Sequence, residues 1–149
     1  MCVMKENLTE HIVDRLKEKG HKITGARYLI IKYLAENRIH PSPEQIFEAV
    51  KKQLPNISFA SVYNTLSLLQ ENGLIKELNV HRHFSNFDID TSRHFHFVCT
   101  KCGNIYDLFE EKDIEARISI KTKDFSQVED MALTIYGVCK NCRQKGGDY

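Results

Sequence analysis

No apolar run in this 149-residue chain approaches the roughly 20 residues that a membrane-spanning helix needs. The opening residues, Met-Cys-Val-Met-Lys-Glu-Asn-Leu, carry neither a signal-peptide apolar region nor a transit-peptide bias, so a cytoplasmic protein is expected. An excess of one charge is missing too. Lys and Arg total 21 against 20 Asp and Glu, a net charge of +1, so there is no global basic field. Any nucleic-acid contact must therefore come from local patches. Internal repeats and low-complexity tracts are also lacking. With 42% hydrophobic and 28% charged residues, the chain suits a soluble folded protein of one domain or two small lobes, not a disordered one.

What the chain does hold is cysteine and histidine, five and seven of them. Four cysteines form two pairs, Cys99-x-x-Cys102 and Cys139-x-x-Cys142, while Cys2 stands near the terminus as an exposed bystander. In a reducing cytoplasm such pairs hold metal more often than they form disulfides. With 36 residues between Cys102 and Cys139, a strand-helix-strand path can bring the chain back to its start. Four thiolates then suit tetrahedral Zn²⁺ and fill its coordination sphere, leaving no position for a substrate. A small lobe is marginal on apolar burial alone, which gives such an ion a structural purpose.

The first half reads as four helices and a hairpin. Residues 7 to about 18 are amphipathic through Leu8, Ile12, Val13 and Leu16, and Gly20 stops them. Thr24 caps a second helix through Tyr28, Ile31 and Leu34. Ser42-Pro43-Glu44-Gln45 is a capping box with proline at the first helical position, opening a helix with Ile46, Phe47 and Val50. Ser58 caps a fourth helix, in which Phe59, Val62, Leu66 and Leu69 form a core-facing stripe before Asn72-Gly73. Residues 74–79 and 84–87 then read as a short β-ribbon. The β-rich remainder offers strands at 94–99, 104–108 and 131–138 and a helix at 113–121. The expected class is α+β: an N-terminal winged helix-turn-helix domain over 1–87, a hinge over 88–93, and a small C-terminal α/β domain over 94–149. Charge divides mildly the same way, +2 up to Val80 (11 basic, 9 acidic) and −1 beyond it (10 basic, 11 acidic).

Within Arg93-His94-Phe95-His96-Phe97-Val98, strand alternation sets His94 and His96 on one face and both phenylalanines on the other. Two imidazoles so placed can chelate one ion. Asp88, Asp90 and Asp107 are nearby carboxylates; His40 is distant in sequence, and spacing alone assigns neither it nor Asp107. Three imidazoles with two aspartates would make a mixed N/O site suited to Fe²⁺ or Mn²⁺. His81 and His83 fall at the tip of the ribbon and read as solvent-exposed turn residues.

Taken in order, His40-Pro41-Ser42-Pro43-Glu44-Gln45-Ile46, Ser61-Val62-Tyr63-Asn64-Thr65-Leu66, Asn72-Gly73-Leu74-Ile75, His94-Phe95-His96-Phe97-Val98-Cys99 and Tyr136-Gly137-Val138-Cys139 resemble the ferric uptake regulator (Fur) superfamily over about residues 8–143. The resemblance implies a metal-dependent transcriptional repressor. It makes Cys99, Cys102, Cys139 and Cys142 the structural zinc site, and His40, Asp88, His94, His96 and Asp107 a regulatory Fe²⁺ or Mn²⁺ site. It also implies a homodimer joined through the C-terminal lobes and reading palindromic double-stranded operator DNA. Aspartate at position 107 looks like the peroxide-sensing branch (PerR), as do Arg93 and Phe95, where many iron sensors carry further ligands. That branch implies oxidation of His40 and His94 with hydrogen peroxide as signal, a stoichiometric event and not an enzyme's turnover. On the fourth helix Ser61, Tyr63 and Asn64 are candidates for DNA contact, with Lys22, Arg27 and Lys76 for phosphate.

Three rivals remain at this level. One is an iron-responsive repressor using the same ligands reversibly. Another is a non-haem metalloenzyme built on His94, His96 and Asp88. The third is a zinc-stapled interaction module that binds no DNA.

Overall fold

The computed structural model describes residues 3–81, 84–109 and 131–145. The chain divides into two compact units, Met1–Thr91 and Ser92–Tyr149.

The first unit carries helices α1 (Val3–Glu18), α2 (Gly25–Glu36), α3 (Pro43–Lys51) and α4 (Phe59–Glu71), then strands β1 (Lys76–Leu78) and β2 (Asn86–Asp88). Its helix starts are chemically encoded. The Thr24 hydroxyl accepts from Arg27 N–H, and Ser42 and Gln45 form a reciprocal capping box ahead of Pro43. Ser58 accepts from Ser61 N–H at the start of α4. Each cap satisfies amides that the helix itself leaves without partners. Gly73 ends α4 with φ +65°, a backbone setting that costs glycine little, and Leu74 N–H closes onto Leu69 C=O at 2.9 Å.

Ile12, Val13 and Leu16 from α1 meet Ile30, Ile31 and Leu34 from α2, Ile46 and Val50 from α3, and Val62, Leu66 and Leu69 from α4 in one core. The structure corrects one member of the expected stripe. Phe59 is 37% exposed and lies in the first turn of α4, with its ring between Phe47 (5.1 Å) and Tyr63 (5.3 Å) instead of in the core. A first-turn residue has no preceding turn of helix to cover it.

β1 and β2 pair antiparallel, Lys76 opposite Asp88 and Leu78 opposite Asn86. Both strands differ from the expected ribbon: the first is shorter, and the second starts later and runs one residue further. Asp88 and Ile89, assigned to a hinge by their lack of periodicity, lie in the first unit, Asp88 as the last residue of β2 and Ile89 in the core.

The second unit holds β3 (Phe95–Cys99), β4 (Ile105–Leu108), β5 (Thr134–Gly137) and a short α5 (Lys140–Lys145) that the sequence pattern had not signalled. Strand order is β4-β3-β5, with β3 antiparallel to β4 and parallel to β5. A parallel neighbour requires a long crossover. The helix expected at 113–121 lies outside the described residues. No helix among the described residues is long and apolar enough to cross a membrane.

Candidate metal centres

The four-cysteine cluster is built by strand ends. Cys99 closes β3, and Gly103 N–H folds the chain back onto Cys99 C=O at 2.9 Å, returning Cys102 toward Cys99. The parallel ladder sets Cys99 opposite Gly137, two residues before Cys139. A Cβ on Gly137 would lie 3.0 and 3.2 Å from the Phe97 ring, so a larger residue there would have to displace that ring. The start of α5 then supplies Cys142. One Sγ from each of the four cysteines lies within 4.8 Å of the others, and Cys102 Sγ is 3.8 Å from Cys139 Sγ. With Zn–S bonds of about 2.3 Å, a tetrahedron has S···S edges of about 3.8 Å, whereas a disulfide would need about 2.05 Å.

Local amides prepare these thiols for metal. Donation from Cys102 N–H and Cys139 N–H lowers the Cys99 thiol to about 6 from its ordinary 9.0. Cys142 N–H, with the Tyr106 hydroxyl, lowers Cys139. Cys142 moves the other way, pushed up to about 12 by its thiol neighbours Cys139 and Cys102. Close thiolates raise one another, so the full set of four calls for a divalent cation.

Nitrogen and oxygen donors form two further groups, one in each unit. In the second unit the β3–β4 ladder sets His96 opposite Asp107, and His94, the residue just before β3, lies beside them. His94 Nε2 lies 3.2 Å and His96 Nε2 3.7 Å from Asp107 Oδ1, and the imidazole centroids are 4.6 Å apart. His94 Nδ1 is 3.0 Å from Ser92 C=O, which can only accept, so Nδ1 carries the hydrogen. The Nε2 lone pair therefore points at a carboxylate, an arrangement completed by a proton or a metal ion.

In the first unit, His40 Nε2 lies 3.6 Å from Asp88 Oδ2, with both side chains buried. Asp88 Oδ1 accepts from Asp90 N–H at 2.8 Å. His40 has φ +53°, a left-handed setting that costs a non-glycine residue about 1–3 kcal/mol. Two contacts from β2 hold that loop: Asn86 Nδ2 donates to His40 C=O at 2.7 Å and Phe87 N–H to Pro41 C=O at 3.0 Å. Asp90, also a nearby carboxylate in sequence, is 4.0 Å from the Arg38 guanidinium. His81, expected as a solvent-exposed turn residue, is instead half-buried because its ring stacks on Phe84, while His83 and Cys2 lie outside the described residues.

On α4, Tyr63 and Asn64 are exposed, and Ser61 is half-buried with its hydroxyl 2.8 Å from that of Ser58. Lys22 and Lys76 are exposed. Arg27 is half-buried, and its guanidinium donates to Lys22 C=O at the entrance to α2. Sequence reasoning missed Asn86, Ser92 and Phe109, whose ring lies 5.4 Å from that of His94. Asn86 left one signal: a polar residue two positions before Asp88 and so on the same strand face.

A winged-helix unit followed by a small α/β unit, with a four-cysteine cluster and separate N/O donor groups able to hold metal, is an architecture suited to a metal-responsive regulator. The ferric uptake regulator family profile matches residues 18–136, and the chain belongs to that family. It is 36% identical over 138 residues to the peroxide-responsive repressor PerR of Staphylococcus epidermidis, covering 92% of this chain and 91% of the relative. The solved ferric uptake regulator of Francisella tularensis with iron superposes with a TM-score of 0.72 at 30% identity, over 83% of this chain and 96% of the other. The Streptococcus pyogenes PerR structure gives 0.53 at 29% identity, over 90% and 92%.

Proposed function

We propose that this chain is a metal-dependent, peroxide-responsive transcriptional repressor that binds palindromic operator DNA as a homodimer. Zn²⁺ held by Cys99, Cys102, Cys139 and Cys142 is structural. The regulatory ion, Fe²⁺ or Mn²⁺, takes His40 and Asp88 from the winged unit and His94, His96 and Asp107 from the second.

The supporting observation is the donor chemistry. Three imidazoles and two carboxylates, with no thiolate, form an N/O set suited to these ions. Neither unit alone offers more than three of the five. An ion that draws ligands from both favours whichever arrangement lets all of them reach it, and its differential affinity sets the population. In that arrangement two copies present α4 to major grooves one or more turns of DNA apart, with Ser61, Tyr63 and Asn64 toward base edges and Lys22, Arg27 and Lys76 toward phosphates.

Bound Fe²⁺ would supply the redox chemistry that activates hydrogen peroxide, which Mn²⁺ does not. His40 and His94 are the residues that change. One oxygen atom joins an imidazole, one water leaves, and one peroxide is reduced per event, so nothing turns over. An oxidised His40 or His94 would be a poorer ligand, so the five residues would hold the ion less tightly and operator affinity would fall.

Mass spectrometry of the Fe²⁺-loaded protein after brief exposure to one equivalent of peroxide tests this. A gain of about 16 Da, one oxygen, on His40 or His94 with loss of operator binding, and neither with Mn²⁺, is expected. Intact histidines with operator binding that follows Fe²⁺ reversibly would instead establish the iron-responsive repressor.

A further inference from the structure

We infer that Asn86 is a positioning residue for the regulatory metal ligand His40, acting through the His40 backbone. The inference rests on the assignment of His40 as a ligand.

Asn86 is 6% exposed, a polar side chain in a strand whose three residues are all buried. Its amide nitrogen donates to His40 C=O at 2.7 Å across 46 residues of sequence. A carbonyl only accepts, so the orientation of the Asn86 amide is fixed by its partner. The residue it grips is the sole non-glycine residue with positive φ among the described residues, and it precedes Pro41, which restricts its backbone further. Neighbouring Phe87 N–H adds a second tie, to Pro41 C=O. That tie is a backbone bond and survives any substitution at 87 except proline, whereas the Asn86 bond depends on the side chain.

The geometry also links the two ligands of the winged unit. Asn86 and Asp88 lie two apart on β2 and share a face, so one strand carries Asp88 and the group that sets His40 beside it. A side chain that merely filled the core here would be apolar, since a buried amide is costly unless it bonds. The polar choice is explained by the carbonyl it holds.

The test measures Mn²⁺ affinity of the full-length, zinc-containing protein by chelator competition. Variants are Asn86→Leu, similar in volume but without a donor, and Asn86→Asp, similar in shape but with acceptors only. Each is combined with His40→Ala. Each Asn86 variant should bind Mn²⁺ about ten-fold more weakly, the scale of lost support to a metal ligand. In the His40→Ala background the same changes should cost nothing further. In metal-free protein, hydrogen exchange over residues 37–42 should rise with either variant while zinc content stays at one per chain. Wild-type Mn²⁺ affinity in the Asn86 variants, beside a weakened His40→Ala, would overturn the inference alone. So would an equal loss with or without His40, which would mark Asn86 as a general stabiliser of the fold. An unchanged affinity in His40→Ala would remove the ligand assignment and this inference with it.

Discussion

His96 and Asp107 face one another across the β3–β4 ladder, and the Asp107 carboxylate reaches both His96 Nε2 at 3.7 Å and His94 Nε2 at 3.2 Å. One carboxylate oxygen thus stands beside two imidazoles, and its removal should weaken both of their contributions. Asp107→Ala is expected to lower Mn²⁺ affinity at least ten-fold, measured by competition with a chelator, while the zinc content is unchanged. Wild-type affinity in this variant would place the regulatory ion elsewhere.

The thiol cage carries a pH prediction of definite sign. Backbone donation lowers Cys99 from 9.0 to about 6, so folding favours its thiolate. In metal-free protein that contribution is complete above pH 9 and disappears as pH falls through 6. Raised Cys142 opposes it only above pH 9, where the unfolded chain loses this proton while the folded chain keeps it up to about 12. Zinc retained against a fixed free-metal buffer should fall as pH is lowered from 8 through 6, because protons compete with the ion for the thiolates. Retention that rises on acidification would contradict the assignment of these thiols as ligands.

Stripping zinc should affect the stability of the two units differently. The first has its own apolar core, whereas the second closes its sheet at the cysteines. Structural zinc contributes about 10–16 kcal/mol of apparent binding energy in small domains, more than a lobe of this size gains otherwise. Cys102→Ser is expected to abolish zinc binding and unfold the second unit, with α1–α4 helicity retained by circular dichroism. Full retention of native hydrogen exchange across β3 would contradict a structural role.

Much of this was legible in the sequence, and the exceptions have physical reasons. Capping residues Thr24, Ser42 and Ser58 announce helix starts because they bond amides three residues on. The alternating pattern of residues 94–98 paired His94 with His96, and the structure brings their rings within 4.6 Å although the strand itself begins only at Phe95. Asp107 needed the register of a second strand, which composition does not encode. Asn86 and the left-handed backbone of His40 needed a tertiary contact across 46 residues. Phe59 was misplaced because a stripe of apolar residues says nothing about where the neighbouring elements stop.

Two substitutions on α4 should part stability from DNA binding. Leu66, fully buried in the core, should cost about 2–5 kcal/mol when changed to Ala, read by denaturant unfolding. Asn64→Ala, on the exposed face, should leave the unfolding midpoint in place. Its operator affinity in the presence of Mn²⁺ should drop by about 1–3 kcal/mol. Equal effects of both changes on folding would contradict the assignment of the exposed face to DNA.

The central claim is that a single regulatory ion takes ligands from both units. Electron spin-echo spectroscopy of the Mn²⁺-loaded protein counts coordinated imidazoles directly, with ¹⁵N-histidine labelling to assign them. The account predicts three, falling to two in His40→Ala and to two in His96→Ala. A wild-type count of two that His40→Ala leaves unchanged would contradict it.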